Sequence, residues 1–260
     1  MTQPILHFDQ ISVRFGGVVA LDGVGFDIAR GDTFGIIGPN GAGKTTLFNC
    51  ISGFIKPEAG GRIDFNGKNL IGRSVHEVAK LGISRSFQNI ALMHDLTGRQ
   101  NILTGLHLRL AYHPLASILP LRRVADAEAQ AARQIEKICD LLKISGAVLD
   151  TRVDALPLGQ QKKIEVARAV VRAPELLLLD EPAGGLNDRE TADLIGSLES
   201  LRASSELTIV VIDHDMNLVM DLCDQLAVLD FGKLIAIGAA AEVQDDPAVI
   251  AVYLGEQDAA

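Results

Sequence analysis

The sequence has no tryptophan and only two tyrosines, and aromatic residues make up 4% of its 260 positions. Such a chain has few side chains that can stack on exposed bases. Basic residues are also in deficit, 24 against 33 acidic ones, which leaves a formal charge of −9. This balance argues against a protein that binds nucleic acid over a broad face, although it leaves room for a local basic patch. We therefore expect no nucleic-acid partner.

Cysteines are scarce, and the three that occur, Cys50, Cys139 and Cys223, are widely separated. An odd number at such spacing fits neither a disulfide framework nor a metal knuckle. We expect all three to be small buried side chains, which is the usual place of a free cysteine.

Long apolar runs are missing as well, although 48% of the residues are hydrophobic. A membrane span needs about 20 predominantly apolar residues in a row. The longest candidate, Leu106 to Leu121, is interrupted by charged and imidazole side chains and by prolines. We expect it to be a loop packed on helices or a surface that meets a membrane partner. Residues 1–9 show no basic region followed by an apolar run, so we expect no secretory signal and a cytosolic protein.

The sequence divides into three segments. Residues 1–75 alternate short β-rich runs with turns, residues from about 76 to 172 are mostly helical in period, and residues 173–260 return to buried strands between helices. Continuous apolar strands that alternate with helices indicate a parallel sheet covered on both faces. We therefore predict one α/β domain over residues 1–260, whose core (1–75 and 173–260) is interrupted by a helical insertion.

Individual elements can be placed on this outline. Arg123 to Ile144 carries apolar residues at helical spacing among charged ones and is predicted to be an amphipathic helix. Asn66-Gly67 is expected to form a hairpin turn, because both residue types tolerate positive φ. Asp230-Phe231-Gly232 is expected to be another turn, and Lys162-Lys163 a solvated helix face. The predicted strands are Ile5–Val13, Val24–Ile28, Thr33–Ile37, Arg62–Phe65, Leu176–Asp180, Leu207–Ile212 and Leu226–Leu229.

A glycine-rich motif follows the predicted strand at residues 33–37. Residues 38–46 read Gly-Pro-Asn-Gly-Ala-Gly-Lys-Thr-Thr and satisfy the pattern G-x-x-x-x-G-K-[ST] in its required strand–loop–helix context. Its glycines let backbone N–H groups point at phosphate oxygens, and the helix N-terminus adds partial positive charge. Lys44 is expected to reach the β- and γ-phosphates, and Thr45 to bind Mg²⁺. The other loop residues expected at the nucleotide are Asn40, Gly41, Gly43 and Thr46.

Two acidic residues, Asp180 and Glu181, end a run of four leucines. Ligands of an open α/β sheet lie at the carboxyl ends of its strands, so both residues are expected at the phosphate site. Asp180 would enter the Mg²⁺ shell, and Glu181 would polarise the attacking water as general base. The alternative is a pair of acidic residues that only cap a strand before Pro182.

His214 follows a third predicted strand, Leu207–Ile212. A neutral imidazole at that strand end can hydrogen-bond the γ-phosphate or the attacking water. We therefore assign it a catalytic role, although an isolated histidine after a strand is more often a surface residue.

These motifs, together with Ser86-Phe87-Gln88-Asn89 and Leu156-Pro157-Leu158-Gly159-Gln160-Gln161, resemble the nucleotide-binding cassette of ABC transporters over essentially the whole chain. The resemblance implies a P-loop NTPase core of ABC type with an antiparallel β subdomain and an inserted α-helical subdomain. It also implies that Gln88 joins the metal shell and senses the transmembrane partner, and that Phe15 stacks on adenine.

The resemblance further implies a second cassette as partner. Gly159 opens the helix that presents the family signature, with Gln160, to the nucleotide of the opposite subunit. This helix N-terminus lacks a Lys-Thr pair of its own, so it holds only half of the groups that a phosphate site needs. ATP and Mg²⁺ would lie between the Lys44 loop of one subunit and the Gly159 helix of the other, in a homodimer or a heterodimer.

Transport is the activity that the resemblance implies. Closure and opening of the two cassettes would drive alternating access of transmembrane permease subunits, at the cytoplasmic face of the inner membrane. A periplasmic solute-binding protein would take part indirectly.

The signature departs from the usual Leu-Ser-Gly-Gly-Gln of the family, because Pro157 and Leu158 replace the serine and the first glycine. A serine hydroxyl would donate to the γ-phosphate of the partner's nucleotide, whereas proline offers no donor. We hypothesise that the composite site built with this signature is weaker than the one built with Lys44 and Glu181.

The motifs resemble in particular the ATP-binding subunits of branched-chain amino acid importers. The likeness is carried by residues 15–24, 181–187, 213–216 and 246–255. Cassettes for urea, aromatic acids or lipopolysaccharide share parts of this set, so these solutes are alternatives. A soluble ABC ATPase that works on DNA or ribosomes is disfavoured by the single copy of each motif and by the acidic balance. A small-molecule kinase with the same phosphate loop is disfavoured by Glu181 and by the Gly159 helix.

Overall fold

The computed structural model describes residues 3–86, 91–106 and 122–257, without the side chains of residues 122–128 and 254–257. The chain forms two compact units. The first comprises Met1–Arg85, Glu175–Gly184 and Glu206–Ala260, and the second comprises Ser86–Pro174 and Gly185–Ser205. Residues 76–85 therefore group with the strand-rich unit and residues 185–205 with the helical one, which differs from the segment bounds expected from the sequence.

The strands of the described chain lie in the first unit and form two sheets. The smaller sheet is antiparallel and has the order β2-β1-β4-β5, and the larger has the order β10-β9-β3-β8-β7-β6. All neighbours in the larger sheet are parallel except β9 and β10. The strands are β1 (Leu6–Phe15), β2 (Val18–Ile28), β3 (Thr33–Ile37), β4 (Arg62–Phe65), β5 (Lys68–Asn69), β6 (Ile83–Arg85), β7 (Leu176–Asp180), β8 (Thr208–Ile212), β9 (Gln225–Asp230) and β10 (Lys233–Ala239).

The predicted strands are present, although some of them begin or end at other residues. β3, β4 and β7 have the predicted bounds. β2 begins at Val18 rather than at Val24, because Phe15 and Val18 pair across a tight turn and the ladder continues from there.

Both predicted turns are confirmed by their backbone angles. Asn66 and Gly67 have φ values of 50° and 72° between β4 and β5. Phe231 and Gly232, with φ values of 42° and 78°, connect β9 to β10. Two consecutive residues with positive φ are the requirement of a type I′ hairpin turn.

The larger sheet determines where the site lies. Every residue of β3, β7 and β8 is buried, as expected for apolar strands of a parallel sheet. The parallel register places Ile36 and Asp180 opposite Ile212 on the two sides of β8. Residues that follow these three strands therefore meet at one edge of the sheet, where α/β proteins bind ligands.

The helices, in chain order, are α1 (Lys44–Ile51), α2 (Val75–Lys80), α3 (Gly98–Thr104), α4 (Arg122–Leu141), α5 (Gly146–Asp150), α6 (Leu158–Val170), α7 (Asp188–Ala203), α8 (Met216–Leu222), α9 (Ala240–Gln244) and α10 (Pro247–Gln257). The second unit contains α3 to α7. α4 is the predicted amphipathic helix, and its residues Ile135 and Ile138 are buried. It ends before the predicted Ile144, because Lys143 takes a positive φ of 54°.

The expectation of a solvated lysine pair on α6 is wrong. Lys162 and Lys163 are only 5% and 2% exposed. The ammonium Nζ of Lys163 lies 2.6 Å from Oδ2 of Asp193 on α7. A buried charge requires an opposite charge nearby, and α7 supplies it.

The three cysteines are buried and form no disulfide, which confirms their predicted place. Among the helices of the described ranges, none combines the length and hydropathy needed to cross a membrane. Most of the candidate apolar run at 106–121 lies outside the described residues.

Candidate functional site

The phosphate loop, residues 38–43, connects β3 to α1 and depends on its glycines. Gly38, Gly41 and Gly43 have φ values of 141°, 82° and 102°. A Cβ atom on Gly38 would lie 2.0 Å from the carbonyl oxygen of Leu229, and one on Gly43 would lie 2.4 Å from that of Ala20. Any larger residue at positions 38 and 43 would therefore push the loop away from β9 and β2.

Lys44 is the first residue of α1, and its side chain folds back over the loop. Its Nζ donates to the carbonyl oxygens of Gly38 at 2.5 Å and Pro39 at 2.8 Å. Gly43 caps the helix without a side-chain acceptor. A cation and the positive end of a helix thus face the same small volume, which suits a polyanion.

The remaining loop residues differ in exposure. Asn40 and Gly41 are exposed at the tip, Thr45 is exposed in the first turn of α1, and Thr46 is half-buried. The sequence predicted all four as nucleotide contacts, and their exposure leaves them accessible to a ligand.

Asp180 ends β7 and forms a buried ion pair with Arg85, which ends the adjacent β6. Nη2 of Arg85 lies 2.7 Å from Oδ2 of Asp180, and the side chains are 9% and 3% exposed. Nη1 of Arg85 donates to Oδ1 of Asn49 on α1 at 2.7 Å. The guanidinium also lies over the ring of Phe48, 5.5 Å from its centre. Arg85 therefore connects the helix of the phosphate loop to the carboxylate at the end of β7.

The role of Arg85 was not predicted from the sequence. Its only signal in the sequence is that it directly precedes Ser86-Phe87-Gln88-Asn89. Its importance becomes visible only when the parallel pairing of β6 and β7 brings it beside a buried carboxylate.

Glu181 follows Asp180 and has an unusual backbone. Its φ is 50°, in the left-handed region that residues other than glycine rarely occupy. Its N–H donates to the carbonyl oxygen of Ile212 at 2.7 Å, and its own carbonyl accepts from Gly184 at 3.1 Å. The residue is half-buried, so its carboxylate can meet both protein groups and a ligand.

His214 lies two residues beyond β8, at the same edge of the sheet. Its side chain is 73% exposed, and its backbone N–H donates to Oδ1 of Asp213 at 2.8 Å. The structure thus brings the Lys44 loop, Asp180, Glu181 and His214 to the ends of neighbouring strands of one unit.

Phe15 also belongs to this unit, at the end of β1, and is 51% exposed. The hairpin that carries it continues into β2, whose Ala20 lies against Gly43 of the phosphate loop. An exposed aromatic ring is therefore presented on the strand pair that borders the loop.

Comparison with known proteins identifies the family. The family described as "ABC transporter" matches residues 21–184, and the one described as "Branched-chain amino acid ATP-binding cassette transporter" matches residues 233–259. BraF of Pseudomonas aeruginosa and LivG of Escherichia coli are each 38% identical over 260 residues, covering 98% of this chain and 100% of the relative. Both are named high-affinity branched-chain amino acid transport ATP-binding proteins. The chain belongs to the ABC transporter family.

Solved structures agree with this assignment. The ABC transporter cassette MJ1267 in its ADP conformation has a TM-score of 0.83 and 32% identity, covering 98% of this chain and 100% of that chain. A nucleotide-free ABC transporter cassette has a TM-score of 0.82 and 31% identity, covering 96% and 99%. The predicted ABC-type fold is therefore confirmed. As an ABC transporter ATP-binding protein, the chain hydrolyses ATP to power transport and works with membrane permease subunits.

The signature of this ABC cassette lies in its second unit, at the start of α6. Pro157 is the N-cap and provides no side-chain acceptor, while its carbonyl accepts from the N–H groups of Gln160 and Gln161 at 3.0 and 3.1 Å. A Cβ atom on Gly159 would lie 3.1 Å from Oε1 of Glu190 on α7. Glycine at this position thus allows α7 to approach the signature closely.

The replacement of the first signature glycine by Leu158 has a structural counterpart. A Cβ atom on Gly185, whose φ is 81°, would lie 3.0 Å from Cδ2 of Leu158. Leu158 therefore packs beside Gly185 of the loop before α7, which has no side chain at that position.

Gln88 of this ABC cassette lies outside the described residues. Within the described ranges, no group of three or more His, Cys, Asp or Glu side chains is arranged to hold a metal ion.

Proposed function

We propose that this chain is the ATP-hydrolysing subunit of an importer for branched-chain amino acids. The ATPase mechanism rests on the convergence of the Lys44 loop, Asp180 and Glu181 at the edge of the parallel sheet. The substrate class is supported by the names of the two full-length relatives and by the family match over residues 233–259. We treat residues 1–260 as one ATP-binding domain built from both units.

ATP binds to the phosphate loop of the first unit in this proposal. Lys44 exchanges the carbonyl oxygens that it now contacts for β- and γ-phosphate oxygens, and backbone N–H groups at Gly41 and Gly43 contribute further donors. Asn40 lies in the same loop, and Thr45 and Thr46 follow it in the first turn of α1. The exposed ring of Phe15 offers an apolar face to the adenine base.

The residues present fit a magnesium ion. Thr45 offers a hydroxyl oxygen, Asp180 offers a buried carboxylate, and the family resemblance adds the side-chain amide of Gln88. These are the hard oxygen ligands that Mg²⁺ takes, together with phosphate oxygens and water. When bound, the ion neutralises negative charge on the phosphates. Arg85 holds the Asp180 carboxylate in place for this role.

Hydrolysis is assigned to Glu181 and His214. The carboxylate of Glu181 accepts a proton from the attacking water, which increases the water's nucleophilicity toward the γ-phosphorus. Lys44 stabilises the charge that spreads over the γ-phosphate oxygens, and His214 hydrogen-bonds either these oxygens or the water. The exposure of His214 in a single chain suits a group that meets its ligand when a second cassette closes over the site.

A second cassette completes the site, in a homodimer or a heterodimer. Gly159 and Gln160 at the start of α6 face the nucleotide of the partner cassette. In a heterodimer, the composite site built with this signature is weaker than the one built with Lys44 and Glu181, because Pro157 lacks a hydroxyl donor. In a heterodimer, a catalytic Glu→Gln change in either subunit then reduces ATP hydrolysis unequally, and equal losses would argue against asymmetry.

The cassette works at the cytoplasmic face of the inner membrane, as a peripheral subunit bound to permease subunits. A periplasmic solute-binding protein delivers the amino acid from the other side. A cassette need not touch the solute, so another solute, such as urea, an aromatic acid or lipopolysaccharide, is the second candidate; it is favoured only by the shared sequence motifs.

The first experiment tests the general base. Glu181→Gln keeps the size of the side chain but removes its basicity, and we expect turnover to fall by about 10²–10⁴-fold while ATP binding is retained. The matched control is Glu175→Gln, which lies before β7 at the opposite end of the strand and should keep turnover. Undiminished turnover in Glu181→Gln would remove Glu181 from this role.

The second experiment tests the solute. The purified transporter complex is reconstituted in vesicles with its binding protein and supplied with ATP, and uptake of leucine is compared with uptake of urea and an aromatic acid. We expect ATP-dependent uptake of leucine that is absent with Glu181→Gln. Uptake of another solute in preference to leucine would correct the substrate class while leaving the ATPase assignment intact.

A further inference from the structure

Asp213 is a buried carboxylate at the site that has no role in the function proposed above. It follows β8, and the residue is 2% exposed. Its Oδ1 accepts hydrogen bonds from the N–H groups of His214 at 2.8 Å and Asp215 at 3.0 Å. Its Oδ2 accepts from the N–H of Ala183 at 3.1 Å. One side chain therefore joins the segment after β8 to the segment after β7.

The segment after β7 is the one that needs support. Glu181 has a φ of 50°, and a non-glycine residue in the left-handed region costs of the order of 1–3 kcal/mol. Such a conformation persists only where the surrounding structure holds it from several sides. Here the N–H of Glu181 donates to the carbonyl oxygen of Ile212. The N–H of Ala183, two residues after Glu181, donates to Oδ2 of Asp213. The strained residue thus lies between two hydrogen bonds to the end of β8 and the residue after it.

We propose that Asp213 is a positioning residue, which holds Glu181 in its left-handed conformation and fixes the backbone of His214 through the same carboxylate. In this role it acts through Glu181 rather than by direct contact with the nucleotide or the attacking water. This proposal rests on the proposed function, because it takes Glu181 as the general base. Misplacement of a catalytic group by about 1 Å can cost about 10²-fold in rate. Loss of the hydrogen bond between Asp213 and Ala183 should therefore lower the rate measurably.

Asp213→Asn tests the contact with Ala183 separately from the hydrogen bonds within residues 213–215. The amide has one acceptor oxygen, which can keep the N–H groups of His214 and Asp215, while its NH₂ group then faces the N–H of Ala183 and cannot accept from it. We expect kcat to fall by about 10–100-fold, with an unchanged Kd for ATP, because the Lys44 loop is held by other contacts. Asp213→Ser is the second variant, since its hydroxyl can serve the turn but is too short for Ala183.

The control is Asp215→Asn. Asp215 caps α8 by accepting from the N–H groups of Asn217 and Leu218, and asparagine is an equally good cap. This variant makes the same aspartate-to-asparagine change two positions away and should keep kcat. Equal losses of kcat in Asp213→Asn and Asp215→Asn would overturn the proposal, and so would a rise in the Kd for ATP that matches the loss of kcat.

A double-mutant cycle decides whether Asp213 acts through Glu181. In single-turnover assays on Glu181→Gln, adding Asp213→Asn should cause no further loss of rate. If the second change lowers the rate by the same factor as in the wild type, Asp213 acts independently of Glu181 and the proposal is wrong. If Glu181→Gln itself keeps full turnover, the general-base assignment fails instead, so the two failures are distinguishable.

Discussion

The turn between β9 and β10 gives the sharpest stability prediction. Phe231 and Gly232 form this turn with φ values of 42° and 78°, and Asn66 and Gly67 form the turn after β4 with values of 50° and 72°. The two turns need the same backbone, but only the second has the preferred Asn-Gly pair. Phe231→Asn should therefore stabilise the protein.

The magnitude follows from two opposing effects. A non-glycine residue in the left-handed region costs about 1–2 kcal/mol, most of which asparagine avoids through local hydrogen bonding. Phe231 is 82% exposed, so its replacement forfeits roughly a fifth of the about 2 kcal/mol that full burial of a phenylalanine gives, or about 0.4 kcal/mol. The net gain is about 1 kcal/mol, which for a chain of this size raises Tm by about 2–4 °C.

The assay is thermal unfolding of the purified chain, with Gly232→Asn as the matched control. A Cβ atom on Gly232 would lie 2.7 Å from the carbonyl oxygen of Ala20, so asparagine there should lower Tm even though it tolerates the φ value. A Tm for Phe231→Asn at or below that of the wild type would contradict this prediction, because it would mean that relief of the left-handed backbone does not outweigh the lost burial of the phenylalanine ring.

Three further predictions concern buried and paired groups. Arg85→Met leaves the buried Asp180 carboxylate without its counter-charge and should destabilise the protein by about 3–5 kcal/mol in denaturant unfolding, more than Arg85→Lys does. A hydrogen bond from Arg30 lowers the pKa of Glu175 below its usual value. The pair therefore stabilises the fold at pH values above the usual pKa, and this contribution is lost as the pH falls through the lowered pKa. The stability difference between the wild type and Arg30→Met should accordingly shrink at acid pH; a constant difference would contradict it. Burial raises the pKa of the Cys50 and Cys223 thiols to about 12 and that of Cys139 to about 11, so a thiol reagent near neutral pH should label the folded chain far more slowly than the unfolded one, and rapid labelling would show an exposed thiol.

Much of the phosphate site could be predicted from the sequence because its signals are local. The motif at 38–46 surrounds a phosphate with backbone N–H groups, so the spacing between its glycines and its Lys-Thr pair is fixed. Asp180 and Glu181 follow an unbroken apolar strand, and parallel strands end at one edge of their sheet. The Asn66-Gly67 turn was predictable for the same reason, since two adjacent residues determine it.

Other features were predicted wrongly or not predicted, because they depend on which residues pack against them. Lys162 and Lys163 look like a solvated pair in sequence, yet both are buried and Asp193 lies beside Lys163. Arg85 carries no motif of its own, and the carboxylate that it binds lies on a strand far away in sequence. Charged residues become buried when a distant partner compensates them, and no local pattern reveals that partner.

The sequence alone predicts the nucleotide site, because a phosphate loop, a strand-end carboxylate and a following glutamate are local patterns of contiguous residues. The distant groups that hold these residues in place became visible only in the folded chain. Folding brings Arg85 to Asp180 and Asp213 to the backbone beyond Glu181. Glu181 itself takes a left-handed conformation that its residue type does not predict. The physical reason is that a hydrogen bond or an ion pair depends on distance in space, and strand pairing brings together residues that lie far apart in the chain, as Thr33 and Ile209 do.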